Sequence, residues 1–401
     1  MKNVRFYSAG DPLKIAFVVQ RYGLEVNGGA EFLCRLVAEH LSKYFDIDIL
    51  TTCAIDYMTW KNEYSPGIET LNGVSVMRFP VDYERDMPKF SKFSEKIFGN
   101  MHAYEDEIEW MKLQGPYSTK LLDYIKSSKD DYTYFVFFTY LYATTFFGLP
   151  LVKEKALLVP TAHDEPPIYL SILKSLFKSP MGLIYSTEEE KNFVTSQFQV
   201  ANIPYDIIGV GIDIPDKIDA VSFAQKYNAE NFLIYVGRID ESKGCKELFD
   251  YFIRYKKEKK SSVKLVLLGK PMMKVPKHPD ILSLGFVSEQ EKFNGIKSAK
   301  LLIMPSKYES LSMVLLEAWL CNTGVLVNGK CDVLKGQCIR GNAGLYYENY
   351  DEFEGCLDVL LASDALRNTM GKNGMKFVLE NYSWKIIENK YISLLQKIGD
   401  F

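Results

Sequence analysis

Leu301–Leu320, LLIMPSKYESLSMVLLEAWL, is the stretch whose reading decides the architecture. Leu301–Met304 is apolar and short, the pattern of a buried strand. Pro305–Ser312 then breaks the run with turn-forming and polar residues. Leu311–Leu320 resumes as an apolar helix. Strand, polar loop and helix form one βα unit of the kind that builds a parallel sheet.

The same alternation extends in both directions. Phe232–Gly237 (FLIYVG), Val263–Leu268, Ile281–Leu284 and Gly324–Asn328 read as strands, and Lys246–Lys257 as a helix. In the amino-terminal half, Lys14–Gln20 (KIAFVVQ), Phe45–Thr51, Phe135–Phe138, Ala156–Pro160 and Leu183–Tyr185 read as strands. Ala30–Leu41 carries Phe32, Leu33, Leu36, Val37 and Leu41 at helical spacing. Two such series, each of roughly 200 residues, predict an α/β chain of two doubly wound, Rossmann-like domains. The Gly- and Pro-containing segment Ile203–Lys217 suits a hinge between them. Ser383–Lys397 reads as a terminal amphipathic helix with Ile386, Ile387, Tyr391, Leu394 and Leu395 on one face.

Composition removes several classes. Net charge is −3, so no basic field argues for nucleic acid. Hydrophobic residues at 47% and charged residues at 25% match a soluble globular protein. The seven cysteines are odd in number and none has C-x-x-C spacing, which predicts reduced, buried thiols in a cytoplasmic protein. The four histidines lack metal-ligand spacing, so no metal site is expected. Met1–Leu13 has no apolar run of signal-peptide type. The uncharged run Tyr132–Val152 is long enough to span a bilayer. Its Tyr and Thr content favours a buried strand followed by a helix at Tyr140–Phe147.

Four segments carry candidate chemistry. Gly28 and Gly29 lie between a strand and a helix, where the backbone can approach a ligand and the helix start favours an anion. A plain tight turn is the competing reading, and the pattern is not G-x-G-x-x-G. Arg238 and Lys243, in Gly237-Arg238-x4-Lys243-Gly244, follow a strand and place two cations at a sheet edge. There Arg can grip phosphate oxygens in bidentate fashion. Asp240 and Glu241 could instead make this a solvated surface loop. Glu309 and Glu317 stand eight apart, with Ser310–Ser312 expected to open the helix. Glu317 lies within MVLLEAWL, so its carboxylate is expected to be buried and to need partners. His163, in His163-Asp164-Glu165, follows another strand and is either structural or part of the site.

Together these segments resemble the retaining GT-B glycosyltransferases of family 4, the glycosyl transferases group 1. The resemblance runs over nearly the whole chain: the G-G-A-E loop, the hinge, G-R-x4-K-G, E-x7-E and the Tyr382-Ser383-Trp384 triplet. It implies two domains facing across a cleft. Residues 1–205 would bind the acceptor, joined by 383–401 as a crossing helix, and residues 206–382 would bind the donor. It implies transfer of a hexose, with UDP-glucose as the expected nucleotide-sugar donor, to a glycan or lipid-linked acceptor of bacterial surface polysaccharide synthesis, with no metal or other cofactor. Arg238 and Lys243 would clamp the diphosphate. Glu309 would bind the donor sugar, and the backbone of Ser310, Leu311, Ser312, Met313 and Val314 would hold sugar and phosphate oxygens. Glu317 would bind the ribose. Gly28 and Gly29 would approach the distal phosphate, His163 would face the reacting sugar, and Phe286 and Val287 lie where the base is read.

Two departures stand out. The family's E-G-F-G is Glu309-Ser310-Leu311-Ser312 here, which narrows the expected sugar pocket, and the hinge lacks the family's Asn. A metal-dependent transferase of the other fold would need an accessible D-x-D. Asp46-Ile47-Asp48 sits inside a strand, far from the other signals. A nucleotide-sugar 2-epimerase of the same architecture and a non-catalytic binding relative are the alternatives, and the intact E-x7-E with R-x4-K argues against both. Pro80–Gln114, with Phe90, Phe93, Phe98 and Trp110 among Lys89, Lys92 and Lys96, reads as an amphipathic helical face of the first domain. A peripheral contact with a membrane carrying the acceptor is the second reading.

Overall fold

Apolar runs bounded by glycine, proline and polar residues become two mostly parallel sheets. The computed structural model describes residues 13–26 and 28–399, so the reading of residues 1–13 as lacking a signal peptide lies outside the described residues but for Leu13. The chain divides into two units. Unit one runs up to Val210 and resumes at Glu388; unit two is Gly211–Ile387.

In unit one the strands are β1 (Lys14–Val18), β2 (Asp46–Thr52), β3 (Gly67–Leu71), β4 (Val74–Phe79), β5 (Tyr134–Phe138), β6 (Ala156–Val159), β7 (Gly182–Tyr185) and β8 (Tyr205–Ile207). Their order is β3-β4-β2-β1-β5-β6-β7-β8. All pairings are parallel except β3–β4, an antiparallel hairpin that turns through Asn72 and Gly73, both at positive φ. In unit two, β9 (Phe232–Val236), β10 (Lys264–Leu268), β11 (Ile281–Gly285), β12 (Leu301–Met304), β13 (Gly324–Asn328) and β14 (Gly344–Tyr347) are ordered β11-β10-β9-β12-β13-β14.

The central strands are buried on both faces, as in β5 (YFVFF) and β9 (FLIYV). Helices cover both sides of a parallel sheet, so such strands read as unbroken apolar runs. Each fully buried Leu, Ile or Phe contributes about 1.5–3 kcal/mol relative to exposure. In each unit the first strand feeds the sheet in both directions. The order therefore reverses between β1 and β5, and again between β9 and β12. At such switch points the loops leaving the strand ends splay apart and leave a ligand crevice.

Several expectations change at element starts. The helix expected at Tyr140–Phe147 begins at Ala143, because Thr139 has φ 61° and Tyr140 donates its N–H to Pro160 instead. Tyr132–Val152 is otherwise strand β5, this helix and a short 3₁₀ turn packed in the core of unit one. Among the described residues no helix is long and apolar enough to cross a membrane. Residues 80–114 form two helices, Met87–Gly99 and Tyr104–Gln114. Phe90 and Phe98 pack on the Trp110 ring, and Lys96 pairs with Asp106 at 3.1 Å. The last helix, Trp384–Gly399, starts in unit two, where Trp384 Nε1 donates to Asp213 Oδ1 at 2.8 Å. From Glu388 it belongs to unit one: Glu388 takes Lys43 Nζ at 2.7 Å and the Tyr44 hydroxyl at 2.9 Å. Asp48 of the D-x-D is buried between Lys14 and the Tyr132 hydroxyl, a structural role.

Candidate active site

In unit two the loops that follow β9 and β12 stand side by side at the switch point. Gly244 shows how close they come. Its φ is 75°, and a Cβ there would lie 2.2 Å from the Pro305 carbonyl oxygen. Any other residue would push the loops apart, so glycine is required for conformation and space together. Asp240 organises the first loop. It accepts from Ser242 Oγ at 2.6 Å and Lys243 N at 2.9 Å, and it pairs with the Arg238 guanidinium. Burial pushes the Asp240 carboxyl up, but those hydrogen bonds and the Arg238 charge outweigh it and hold the group below its ordinary range.

Lys243 reaches across to the second loop and meets Glu309 Oε1 at 2.8 Å. Two residues separated by 66 positions are thus one ion pair. The pair is partly open, with Lys243 33% and Glu309 13% exposed. It forms a polar surface in which the lysine can exchange its partner for a stronger anion.

Ser310–Ser312 were expected to open the following helix. They precede it instead, and the helix is Met313–Leu320. Ser312 has φ 64°, which a right-handed helix cannot contain, and Gln337 Nε2 pins the Leu311 carbonyl at 2.6 Å. No side chain caps the helix start. Ser306 Oγ, Ser312 Oγ, Gln337 Oε1 and Glu317 Oε2 are buried without a hydrogen-bond partner among the described residues. Such groups are rare in native proteins and here gather around one loop and its helix. Glu317 is 3% exposed, with Oε1 held by Lys292 Nζ at 2.8 Å. Burial pushes its carboxyl up, against the pull of Lys292. After β11, Gly285 has φ 71° and Phe286 stands 70% exposed, while Val287 is half-buried.

In unit one, Gly28 precedes the helix Gly29–Leu41 in extended backbone. A Cβ at Gly28 would lie 2.1 Å from Glu31 Oε2 and 3.0 Å from Arg21 Nη2. What the glycine makes room for is the buried pair Arg21–Glu31, joined at 2.9 Å through Nε and 2.5 Å through Nη2. Gly29 has open space where a side chain would be. His163 follows β6, with Nδ1 3.3 Å from Glu165 Oε1, and Glu165 also accepts from the buried Tyr140 hydroxyl at 2.7 Å. The backbone beside His163 is anchored by Glu190, whose two oxygens accept from Ala162 N and Ser186 N, each at 2.6 Å. Burial pushes the Glu190 carboxyl up to about 8, against the pull of those amide hydrogens.

The structure thus brings Arg238, Lys243, Glu309, residues 310–314 and Glu317 to one sheet edge of unit two. Gly28, Gly29 and His163 lie at the corresponding edge of unit one. Lys292, Gln337, Arg21 and Glu190 escaped the sequence reading, and Asp240 entered it only as a partner in a solvated surface loop. Lys292 forms an i,i+3 pair with Glu289, the signature of an ordinary exposed helix face.

This architecture is the two-domain GT-B fold. Sucrose-phosphate synthase from Thermosynechococcus elongatus superposes with TM-score 0.72 over 97% of this chain and 99% of that one, at 16% identity. Anabaena Alr3699/HepE in complex with UDP and glucose does so with TM-score 0.71 over 96% and 100%, at 14% identity. Residues 217–377 match the family model described as Glycosyl transferases group 1. An uncharacterized glycosyltransferase of Methanocaldococcus jannaschii is 23% identical over 95% of this chain and 97% of its own length. A capsular polysaccharide biosynthesis glycosyltransferase of Staphylococcus aureus, CapM, is 26% identical over 45% of this chain and 52% of its own.

Proposed function

We propose that the chain is a retaining, metal-independent hexosyltransferase, with unit two (Gly211–Ile387, where 206–382 was expected) binding a nucleotide-sugar and unit one the acceptor. The observation that carries this is the Lys243–Glu309 pair at the switch point of unit two, with Glu317 Oε2 buried and unpartnered on the helix that follows. A donor diphosphate would draw Lys243 and Arg238 from their carboxylates. The uncapped start of Met313–Leu320 adds partial positive charge to the same place. Glu309, released from the lysine, would accept from sugar hydroxyls, and Glu317 from the ribose. Phe286 and Val287 would border the base.

In the reaction the anomeric C–O bond to the diphosphate breaks. A bond to an acceptor hydroxyl oxygen forms on the same face, and the hydroxyl proton passes to the departing phosphate oxygen. Arg238 and Lys243 stabilise the charge that develops on that phosphate, the place a metal ion takes in other transferases. His163, beside Glu165, would line the acceptor side. UDP-glucose is the donor we favour. Support comes from relatives of the same fold, one in complex with UDP and glucose and another bound with UDP-2-fluoro glucose. CapM, a glycosyltransferase of capsular polysaccharide biosynthesis, supports a glycan acceptor. The free cysteines support a reducing compartment, and we read the protein as cytoplasmic, with peripheral membrane contact through residues 80–114.

The test is nucleotide release from a panel of UDP-, GDP- and ADP-sugars, with and without EDTA, on wild type and Arg238→Ala. Release of one nucleotide, insensitive to EDTA and lost in the variant, is the expected result. Release that EDTA abolishes would overturn metal independence. Absence of both release and nucleotide binding would overturn the enzymatic reading.

A further inference from the structure

Lys292 lies on the helix Glu289–Ser298, outside every motif that marks the donor edge. Its ammonium sits 2.8 Å from Glu317 Oε1 and 2.7 Å from Glu289 Oε2. The two contacts differ in kind. Glu289 is 64% exposed, whereas the Lys292 and Glu317 side chains are 11% and 4% exposed. A lysine is almost never buried to this degree unless it is paired, and its pairing here is with a carboxylate on the helix that leaves the donor loop. Lysine is also the long, compact point charge that can cross between two helices and fix one oxygen of a carboxylate while leaving the other untouched.

That other oxygen is the informative one. Glu317 Oε2 is buried and has no hydrogen-bond partner among the described residues. A carboxylate has about four acceptor positions, and those on Oε2 are unmet. Removing both partners of a buried pair in favour of apolar groups often leaves a fold no less stable. A buried Lys–Glu pair with one oxygen unmet is therefore poorly explained by stability alone. It is well explained if Oε2 accepts from an O–H or N–H of a ligand, and if Lys292 keeps the carboxylate ionised and in one rotamer for that purpose.

We propose that Lys292 is a positioning residue for sugar-hydroxyl recognition: by holding Glu317 Oε1 it presents Oε2 to a hydroxyl of the donor's ribose, and through it the protein distinguishes ribonucleoside from deoxyribonucleoside diphosphates. This rests on the reading that Glu317 faces the ribose of a nucleotide bound to unit two. The chemistry recognised is one hydroxyl of a vicinal diol. A site built to accept from such a hydroxyl rejects the analogue lacking it, because the buried acceptor is then left bare.

The experiment is calorimetric titration of the full chain with UDP, 2′-deoxy-UDP and 3′-deoxy-UDP, on wild type, Lys292→Met, Lys292→Gln and Glu317→Gln, each checked by circular dichroism and thermal melting. If UDP does not bind, GDP and ADP with their deoxy counterparts replace it. Wild type should bind the ribonucleotide at least about tenfold more tightly than one of its deoxy forms, the scale of a hydrogen bond to a charged group. In Lys292→Met the ratio should fall to below about threefold, with the donor KM rising about tenfold and kcat changing less. Lys292→Gln, which keeps a neutral donor facing Glu317, should lie between, and it decides the matter by the same ratio if Lys292→Met does not fold. A folded Lys292 variant with the wild-type ratio overturns the proposal. The donor reading still stands in that case if Glu317→Gln loses the ratio. Equal binding of ribo and deoxy forms by wild type, or no nucleotide binding at all, overturns the proposal and the ribose assignment of Glu317 together.

Discussion

The carboxyl edges of the two sheets are built alike and satisfied differently. In unit one the buried ionisable groups are met by their neighbours. Arg21 meets Glu31, and both oxygens of Glu190 take backbone amides. In unit two the charges at the same kind of edge stay open. Lys243 and Glu309 are partly exposed, and Glu317 keeps one oxygen unmet. Closed charges hold loops in place, and open ones are ready to take a ligand. The difference accords with structural work for the pairs of unit one and with the proposed binding role of those of unit two, although both descend from strand–loop–helix segments of the same form.

The largest effect that tests this contrast is on stability. Glu31→Gln leaves Arg21 buried without its carboxylate, and breaking such a pair costs about 3–5 kcal/mol. Urea denaturation should show that loss in the transition of unit one, with UDP affinity unchanged. If donor binding fell and stability held, the edge of unit one would be open after all. The next effect is on rate. Lys243→Ala should lower transfer by about 10²–10³, equivalent to about 2.7–4 kcal/mol. Because its pair is partly exposed, the same variant should shift unfolding by less than about 1 kcal/mol. A large stability loss without a kinetic one would make Lys243 a structural residue.

The effect that is smallest per step of the measurement is a pH slope. Glu190 stands near 8 in the folded chain, above its unfolded value of about 4.5. Between these values the folded state holds a proton that the unfolded chain has released. Stability from this group is therefore full below pH ~4.5 and is lost as pH rises toward 8, by up to about 1.4 kcal/mol per pH unit. Glu190→Gln should flatten that part of the stability–pH curve of unit one. An unchanged slope would mean that the two amide hydrogens keep Glu190 ionised throughout.

Much of this arrangement was readable in one dimension. Strands such as Leu301–Met304 and Gly324–Asn328 announce themselves because a doubly covered parallel strand must be apolar throughout. The exposed β3 has no such constraint, and the hairpin it forms with β4 went unread. Arg238, Lys243, Glu309 and Glu317 stood out by spacing within single βα units. The pairing of Arg21 with Glu31 did not, because nothing local marks a buried pair ten residues apart. Gly28 was read as room for a ligand; the fold adds that a Cβ there would meet Glu31, a contact that no local pattern announces.

The sequence by itself determined the class of fold, the two series of βα units and the residue types gathered at the edge of the second sheet. Those follow from periodicity and local chemistry, which act over a few residues. Only the tertiary structure decided that β9 and β12 are neighbours and that Lys243 therefore meets Glu309. It also decided that Ser312 turns left-handed, and that Lys292 leaves one oxygen of Glu317 unmet. These depend on which loops the sheet order brings together and on what burial leaves without water. Both are properties of the packed chain rather than of any stretch within it.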